Sequence, residues 1–84
     1  MKTTINSLIE LATISNNENR IELYKAMAQK LKNTTKQEQN HLLKHFYSNL
    51  CGLMAHSEIE SNEYNKLNIL LKHLQNICQA NQQP

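Results

Sequence analysis

Apolar residues recur along the chain every three to four positions in four blocks, and a short polar stretch separates each block from the next. This spacing places the apolar side chains on one face of a helix. The four stripes are, in chain order, Ile5, Leu8, Ile9 and Ala12; Ile21, Tyr24, Met27, Ala28 and Leu31; Leu42, Leu43, Phe46, Leu50, Leu53 and Met54; and Tyr64, Leu67, Leu70, Leu71, Leu74, Ile77 and Cys78. The pattern predicts four amphipathic helices, the first over about 4–13.

Polar residues before three of the stripes match the patterns that begin helices. Ser15 is followed three residues later by Glu18, and Thr35 by Glu38. At this spacing a hydroxyl and a carboxylate satisfy free backbone N–H groups at a helix start. Ser61 is the preferred N-cap of the fourth helix. We therefore expect the second, third and fourth helices to begin just after Ser15, Thr35 and Ser61.

The short connections between the predicted helices determine their arrangement. Links of roughly 2–8 residues cannot cross the length of a helix, so consecutive helices lie antiparallel. The predicted fold class is all-α: an antiparallel up-down four-helix bundle in a single helical domain over 1–84, with a frayed tail at 79–84. The alternative is a three-helix core with the short N-terminal helix packed across it. Gly52 interrupts the third stripe, and it either permits close approach of a neighbouring helix, which we prefer, or begins the end of the third helix.

Composition and charge narrow the classes of function. The chain has 84 residues, one Gly, one Pro and a formal net charge of +2. One small core fits this length, and so few turn-forming residues argue against sheet-rich folds and phosphate-binding loops. Nucleic-acid binders usually have a larger basic excess, and no apolar stretch approaches the roughly 20 residues of a membrane span. We expect a cytoplasmic protein with no membrane insertion, no small-molecule substrate and no cofactor.

Two pairs of residues are the candidates for chemistry. His41 and His45 have the spacing at which two imidazoles on one helical face share a metal ion. No third ligand stands near them in sequence, so we interpret them as solvated histidines. Cys51 and Cys78 lie in helical patterns, where packed free thiols are the simpler interpretation and a disulfide stays open. We predict no catalytic, cofactor-binding or metal-ligating residue, and therefore a protein that is not an enzyme.

Three acidic residues, Glu58, Glu60 and Glu63, cluster at the predicted start of the fourth helix. Paired carboxylates that carry out acid–base catalysis need a concave apolar pocket that separates their pKa values. A loop and a first helical turn do not predict such a pocket, whereas negative charge is favourable near a helix N-terminus. We interpret all three as capping or solvated residues.

Residues off the stripes are the candidates for a binding surface. Exposed apolar side chains that converge define a partner or dimer face. Three apolar residues lie outside the core stripes: Leu23, Tyr47 and Ile69. Lysines cluster on the second helix and the turn that follows it, and they offer an electrostatic rim for such a surface: Lys25, Lys32 and Lys36. We predict another protein as the partner and leave a homodimer open. The alternative function, less favoured by the composition, is a nucleic-acid-associated regulator that uses the lysine-rich face of the second helix.

Three stretches also resemble a known family. They are Leu8-Ile9-Glu10-Leu11 leading into Ile14-Ser15-Asn16-Asn17, the amphipathic run over 21–31, and Ile59-Glu60-Ser61-Asn62-Glu63-Tyr64 entering Leu67, Leu70 and Leu74. Their layout resembles the small cytosolic immunity proteins of pediocin-like bacteriocins, the enterocin A type. The resemblance implies a four-helix bundle that blocks a bacteriocin–receptor complex without catalysis. Family members usually have a longer C-terminal segment, and no defined functional motif is matched, so no binding residue carries over. We predict an inhibitor, immunity factor or regulator of a bacterium or its phage.

Overall fold

The computed structural model describes residues 2–82, with side chains described for 2–78. Four helices account for most of them: α1 (Lys2–Ile14), α2 (Glu18–Asn33), α3 (Lys36–His56) and α4 (Ser61–Gln82). No strand occurs within 2–82, and the predicted all-α four-helix bundle is confirmed. The α4 backbone is helical to Gln82, and the side chains of the predicted frayed tail at 79–84 lie outside the described residues.

The helices surround a common core in chain order. α1 packs most extensively against α2, α3 packs against α4, and contacts between α1 and α4 close the bundle. α1 lies along α4 rather than across its end. Glu10 of α1 forms an ion pair with Lys66 of α4, and Ser7 of α1 and Ile69 of α4, about one turn away, line the same hollow. Of the four neighbouring pairs, α2 and α3 contact each other least. The α2–α3 seam and the α1–α4 seam are therefore on opposite sides of the molecule.

Each helix contributes apolar side chains to one continuous core. Its buried members are Leu8, Leu11, Ala12, Tyr24, Met27, Ala28, Leu31, Leu43, Phe46, Leu50, Leu67, Leu70, Leu71 and Leu74. Their burial removes apolar surface from water, which is the main favourable term in folding. None of the helices, over the described residues, combines the length and apolarity that a bilayer crossing requires.

Two of the predicted stripes are rotated relative to the core. In α1, Leu11 is fully buried whereas Ile9 is 43% exposed, so the prediction that Ile9 belongs to the core is wrong. In α4, Tyr64 is 45% exposed and Glu63 takes the inward position beside it. Adjacent residues are about 100° apart on a helix, and only the neighbouring helices determine which edge of a stripe they cover.

The helix starts agree with the capping patterns in one case of three. The Thr35 hydroxyl accepts a hydrogen bond from the Glu38 N–H at 3.3 Å, as predicted. α2 is capped by Asn17 instead of Ser15, since the Asn17 side chain accepts from the Arg20 N–H at 3.0 Å. Ser61 is the first residue of α4 rather than its cap. Asn residues are as good N-caps as Ser residues, so the pattern alone does not distinguish them.

Gly52 is exposed within α3, and a Cβ atom built on it would meet no neighbouring atom within 4 Å. The prediction that it permits close helix approach is therefore wrong. The helix continues past it to His56. A glycine costs a helix about 1 kcal/mol relative to alanine, and the neighbouring Leu50, Leu53 and Met54 pack on the core and offset that cost.

Candidate partner-binding site

A buried polar network joins the first turns of α2 to the first turn of α4. Glu63 is only 1% exposed. The Arg20 guanidinium donates to its carboxylate from Nε at 2.8 Å and from Nη2 at 3.3 Å, and the Tyr24 hydroxyl donates at 2.6 Å. The interpretation of Glu63 as a solvated or capping residue is therefore wrong. Its position four residues before Leu67 places it on the apolar face of α4, which is the sequence signal for its burial.

The network determines the charge state of its members. Burial alone would raise the pKa of Glu63, but hydrogen bonds from Arg20, Tyr24 and Ser15 outweigh it and hold that pKa below its usual range. The hydrogen bond to Glu63 raises the pKa of Arg20, and burial raises the pKa of Tyr24. At neutral pH the cluster therefore consists of a carboxylate, a guanidinium and a neutral phenol. Since both Glu63 oxygens already accept bonds, the arrangement suits a structural link better than acid–base catalysis.

Exposed contacts extend this network across the two loops at the same end of the bundle. The Asn16 side chain accepts from Arg20 Nη2 at 3.3 Å and donates to the Glu60 carboxylate at 2.7 Å. The α1–α2 and α3–α4 connections are thereby tied to each other.

The α2–α3 seam is open instead. A hollow of about 320 Å³ lies where the two helices meet near their connection, and its lining is Gln29, Lys30, Asn33, Thr34, Glu38 and Leu42. Leu23 is seven residues before Lys30 on α2, and Leu53 is eleven residues after Leu42 on α3, so each pair shares a helical face. We call the surface formed by Leu23, Lys30, Leu42 and Leu53 the α2–α3 groove. Its three leucines are half-buried against the core.

The two helices that form the groove carry most of the positive charge of the chain. α2 and α3 contain six basic residues, Arg20 and the lysines at 25, 30, 32, 36 and 44, and three acidic residues, Glu18, Glu22 and Glu38. The rest of the chain has three basic and four acidic residues. These five lysines are exposed, and they form no ion pair with any acidic residue in the described part of the chain. The hollow of the groove is itself lined by one basic and one acidic residue, Lys30 and Glu38.

The structure places the predicted apolar anchors on three different sides. Leu23 is half-buried on α2, on the helical face that also carries Lys30. Tyr47 is half-buried on α3, and a hydrogen bond with the Cys51 thiol raises the pKa of its hydroxyl. Ile69 is 68% exposed on α4 and lines a hollow shared with α1. The three residues do not form one surface. The predicted rim, Lys25, Lys32 and Lys36, is exposed on α2 and at the start of α3.

The residues considered for chemistry lie on α3 and α4. His41 and His45 are both exposed on α3. Cys51 and Cys78 are half-buried free thiols. Within the described residues, no group of three or more His, Cys, Asp or Glu side chains is placed to hold a metal ion.

No protein-family model matches the chain, and no curated protein or solved structure is significantly similar to it. The resemblance to bacteriocin immunity proteins therefore stays a prediction, and it assigns no role to any residue. The function has to be inferred from the geometry and charge of the α2–α3 groove.

Proposed function

We propose that this protein binds another protein through the α2–α3 groove and acts in the cytoplasm as an inhibitor, an immunity factor or a regulator, rather than as an enzyme. The observation that carries the proposal is the open seam itself. Leu23, Leu42 and Leu53 line two helices that contact each other least, and each keeps part of its surface open to solvent.

Burial of apolar surface favours the binding of a partner segment in such a groove. Covering exposed apolar surface gains about 25 cal/mol per Å². Two helices with a hollow between them offer a cleft in which the apolar face of a third helix can lie. Half-buried leucines already held by the core lose little further side-chain freedom on binding. A protein segment with an apolar stripe therefore fits this surface.

The charge of the groove indicates the kind of partner. Lys30 and Glu38 both line the hollow, so it carries one charge of each sign. Complementary charge increases the rate of association and discriminates among partners more than it increases affinity. A partner with one acidic and one basic residue beside its apolar stripe is therefore favoured. The resemblance to immunity proteins supports the same class of action, binding to a protein complex without catalysis.

Site-specific crosslinking in the native host tests this proposal. A photoreactive amino acid replaces Leu42 in the groove, and a matched variant carries it at Asn68, an exposed position on α4. We expect one protein to be crosslinked from position 42 and not from position 68, and the adduct to be lost when Lys30→Glu is added. Equal adducts from both positions, or no protein adduct from position 42, would contradict the proposal.

A second candidate function rests on the three exposed lysines. Lys25, Lys32 and Lys36 are free to contact phosphates, and a nucleic-acid-associated regulator would use them in this way. Such binding should weaken steeply with salt and disappear when all three become Glu. It should also be insensitive to a polar substitution of Leu42. The response of binding to these two changes therefore distinguishes nucleic acid from a protein partner.

A further inference from the structure

The side of the bundle opposite the groove carries the most exposed of the described large apolar side chains. Ile69 of α4 is 68% exposed, and it borders a hollow of about 90 Å³ lined by Ser7, Glu10, Lys66 and Ile69 itself. Ile14, four residues after Glu10 and therefore one turn along the same side of α1, is also exposed. We call this surface the α1–α4 face.

One acidic and one basic residue lie between the two isoleucines. Lys66 Nζ donates to Glu10 Oε2 at 2.8 Å, and these side chains are 46% and 60% exposed respectively. An ion pair this exposed contributes about 0–1 kcal/mol to the fold. Both groups keep hydrogen-bonding capacity, because an ammonium has three donors and a carboxylate about four acceptor sites. The α1–α4 face can therefore exchange charge contacts with another molecule.

We propose that the α1–α4 face binds a second copy of this chain, with Ile69 of each copy seated in the hollow of the other. A two-fold axis brings the same surface of both copies together. Each Lys66 then faces a Glu10 of the other copy, and each apolar projection faces a hollow. The face therefore provides both the projecting side chain and the hollow, and both charges, that two copies need in order to bind each other.

A two-fold dimer through the α1–α4 face does not require like charges to oppose each other across the interface. The α1–α4 face has one charge of each sign and no net charge between its isoleucines. Since the face and the groove are on opposite sides, a dimer formed here leaves both grooves accessible. This inference goes beyond partner binding and does not depend on it.

Analytical ultracentrifugation of the full chain over a concentration series tests the dimer. We expect a concentration-dependent monomer–dimer equilibrium, and Ile69→Asp should raise its Kd by at least about tenfold. Ile9→Asp is the matched control, because Ile9 is 43% exposed but lies about 100° away from Glu10 around α1. Circular dichroism establishes that both variants remain helical. A monomer at all concentrations, or a dimer that Ile69→Asp leaves unchanged, would overturn the proposal.

A pair of charge reversals provides the second arm. Glu10→Lys gives a face with two positive charges, and Lys66→Glu gives a face with two negative charges. Each variant should be monomeric alone, because its face repels a second copy of itself. Mixed together, the two variants should form a heterodimer at concentrations where neither associates alone. Dimers of either single variant, or no association on mixing, would show that the face does not join two copies.

Discussion

α2 is joined to its neighbours in two different ways along its length. Near its start, Arg20 and Tyr24 hold the Glu63 carboxylate of α4 in a network with almost no contact with solvent. Near its end, Lys30 borders a hollow shared with Leu42 of α3, where the two helices barely touch. The first region satisfies its polar groups internally, and the second leaves a hollow between the two helices. The proposed partner surface is in the second region.

The same contrast predicts where the fold is sensitive to substitution. A buried ion pair is not strongly stabilising compared with an apolar pair of similar shape, but breaking it leaves a charge without water or partner. In the groove, a changed side chain can be solvated instead. Single substitutions should therefore cost much more at the network than at the groove.

The largest expected effect comes from removing the carboxylate at the centre of the network. Glu63→Ala leaves the Arg20 guanidinium buried without its partner, and should lower the free energy of unfolding by about 3–5 kcal/mol. Urea denaturation followed by circular dichroism measures it. Glu60→Ala is the matched control, since Glu60 is exposed and accepts one bond from Asn16. Similar losses in both variants would mean that the buried network has no special importance.

A smaller loss is expected when only the phenol is removed. Tyr24→Phe deletes the hydroxyl that donates to Glu63 at 2.6 Å, and hydrogen bonds to charged groups contribute about 1.5–3 kcal/mol. Tyr64→Phe should leave the free energy of unfolding nearly unchanged, because Tyr64 is exposed one residue beyond Glu63. The same denaturation experiment compares the two, and a larger loss for Tyr64→Phe would contradict the contrast.

Acid should weaken the network by protonating Glu63. The pKa of this carboxyl is lower in the folded protein than its ordinary value of 4.5, so its contribution to the free energy of unfolding is fully present above the pKa that it has in the unfolded chain. That contribution is lost as the pH falls through the pKa that Glu63 has in the folded protein, because the native state then also binds the proton. Thermal unfolding over a pH series should show this loss, with a shallower acid dependence in Glu63→Gln. An identical acid dependence in both proteins would remove Glu63 as its cause.

The smallest expected effect is a gain on the open part of α3. Gly52→Ala adds a methyl group where no atom lies within 4 Å, and should raise the free energy of unfolding by about 0.5–1 kcal/mol through helix propensity. Ala26→Gly, at an exposed position of α2, should lower it by a similar amount. A loss of stability in Gly52→Ala would indicate that Gly52 has a packing role that its surroundings do not reveal.

Some features of the fold could be predicted residue by residue and others could not. Leu8, Leu43 and Leu67 repeat at helical spacing with their neighbours, and each lies in the core as its stripe predicts. Glu63 has the same helical spacing, four residues before Leu67, but an acidic residue in a first helical turn is ordinarily solvated, so the spacing alone did not identify it as buried. It is buried only because Arg20 and Tyr24, from a distant part of the chain, converge on it. Burial of a polar group depends on such partners.

The candidate site shows the same division. Leu23 and the exposed lysines are recognisable from the sequence, since they fall off the stripes or cluster along one stretch. Leu42 is not, because it belongs to the predicted core stripe of α3. Only the weak contact between α2 and α3 leaves it partly open beside Lys30. Sequence spacing determines the face on which a residue lies, but the neighbouring helix determines whether that face is covered.

The sequence by itself determined that four helices form, in which order they follow, and that consecutive helices lie antiparallel. Side-chain periodicity and short connections determine these features, and both are local properties of the chain. The tertiary structure decided which edges of the stripes are buried, which carboxylate enters the interior and which seam stays open. These depend on contacts between residues far apart in the chain, such as Arg20 with Glu63. Local spacing restricts such contacts without specifying them, because several rotations of an amphipathic helix bury similar apolar area.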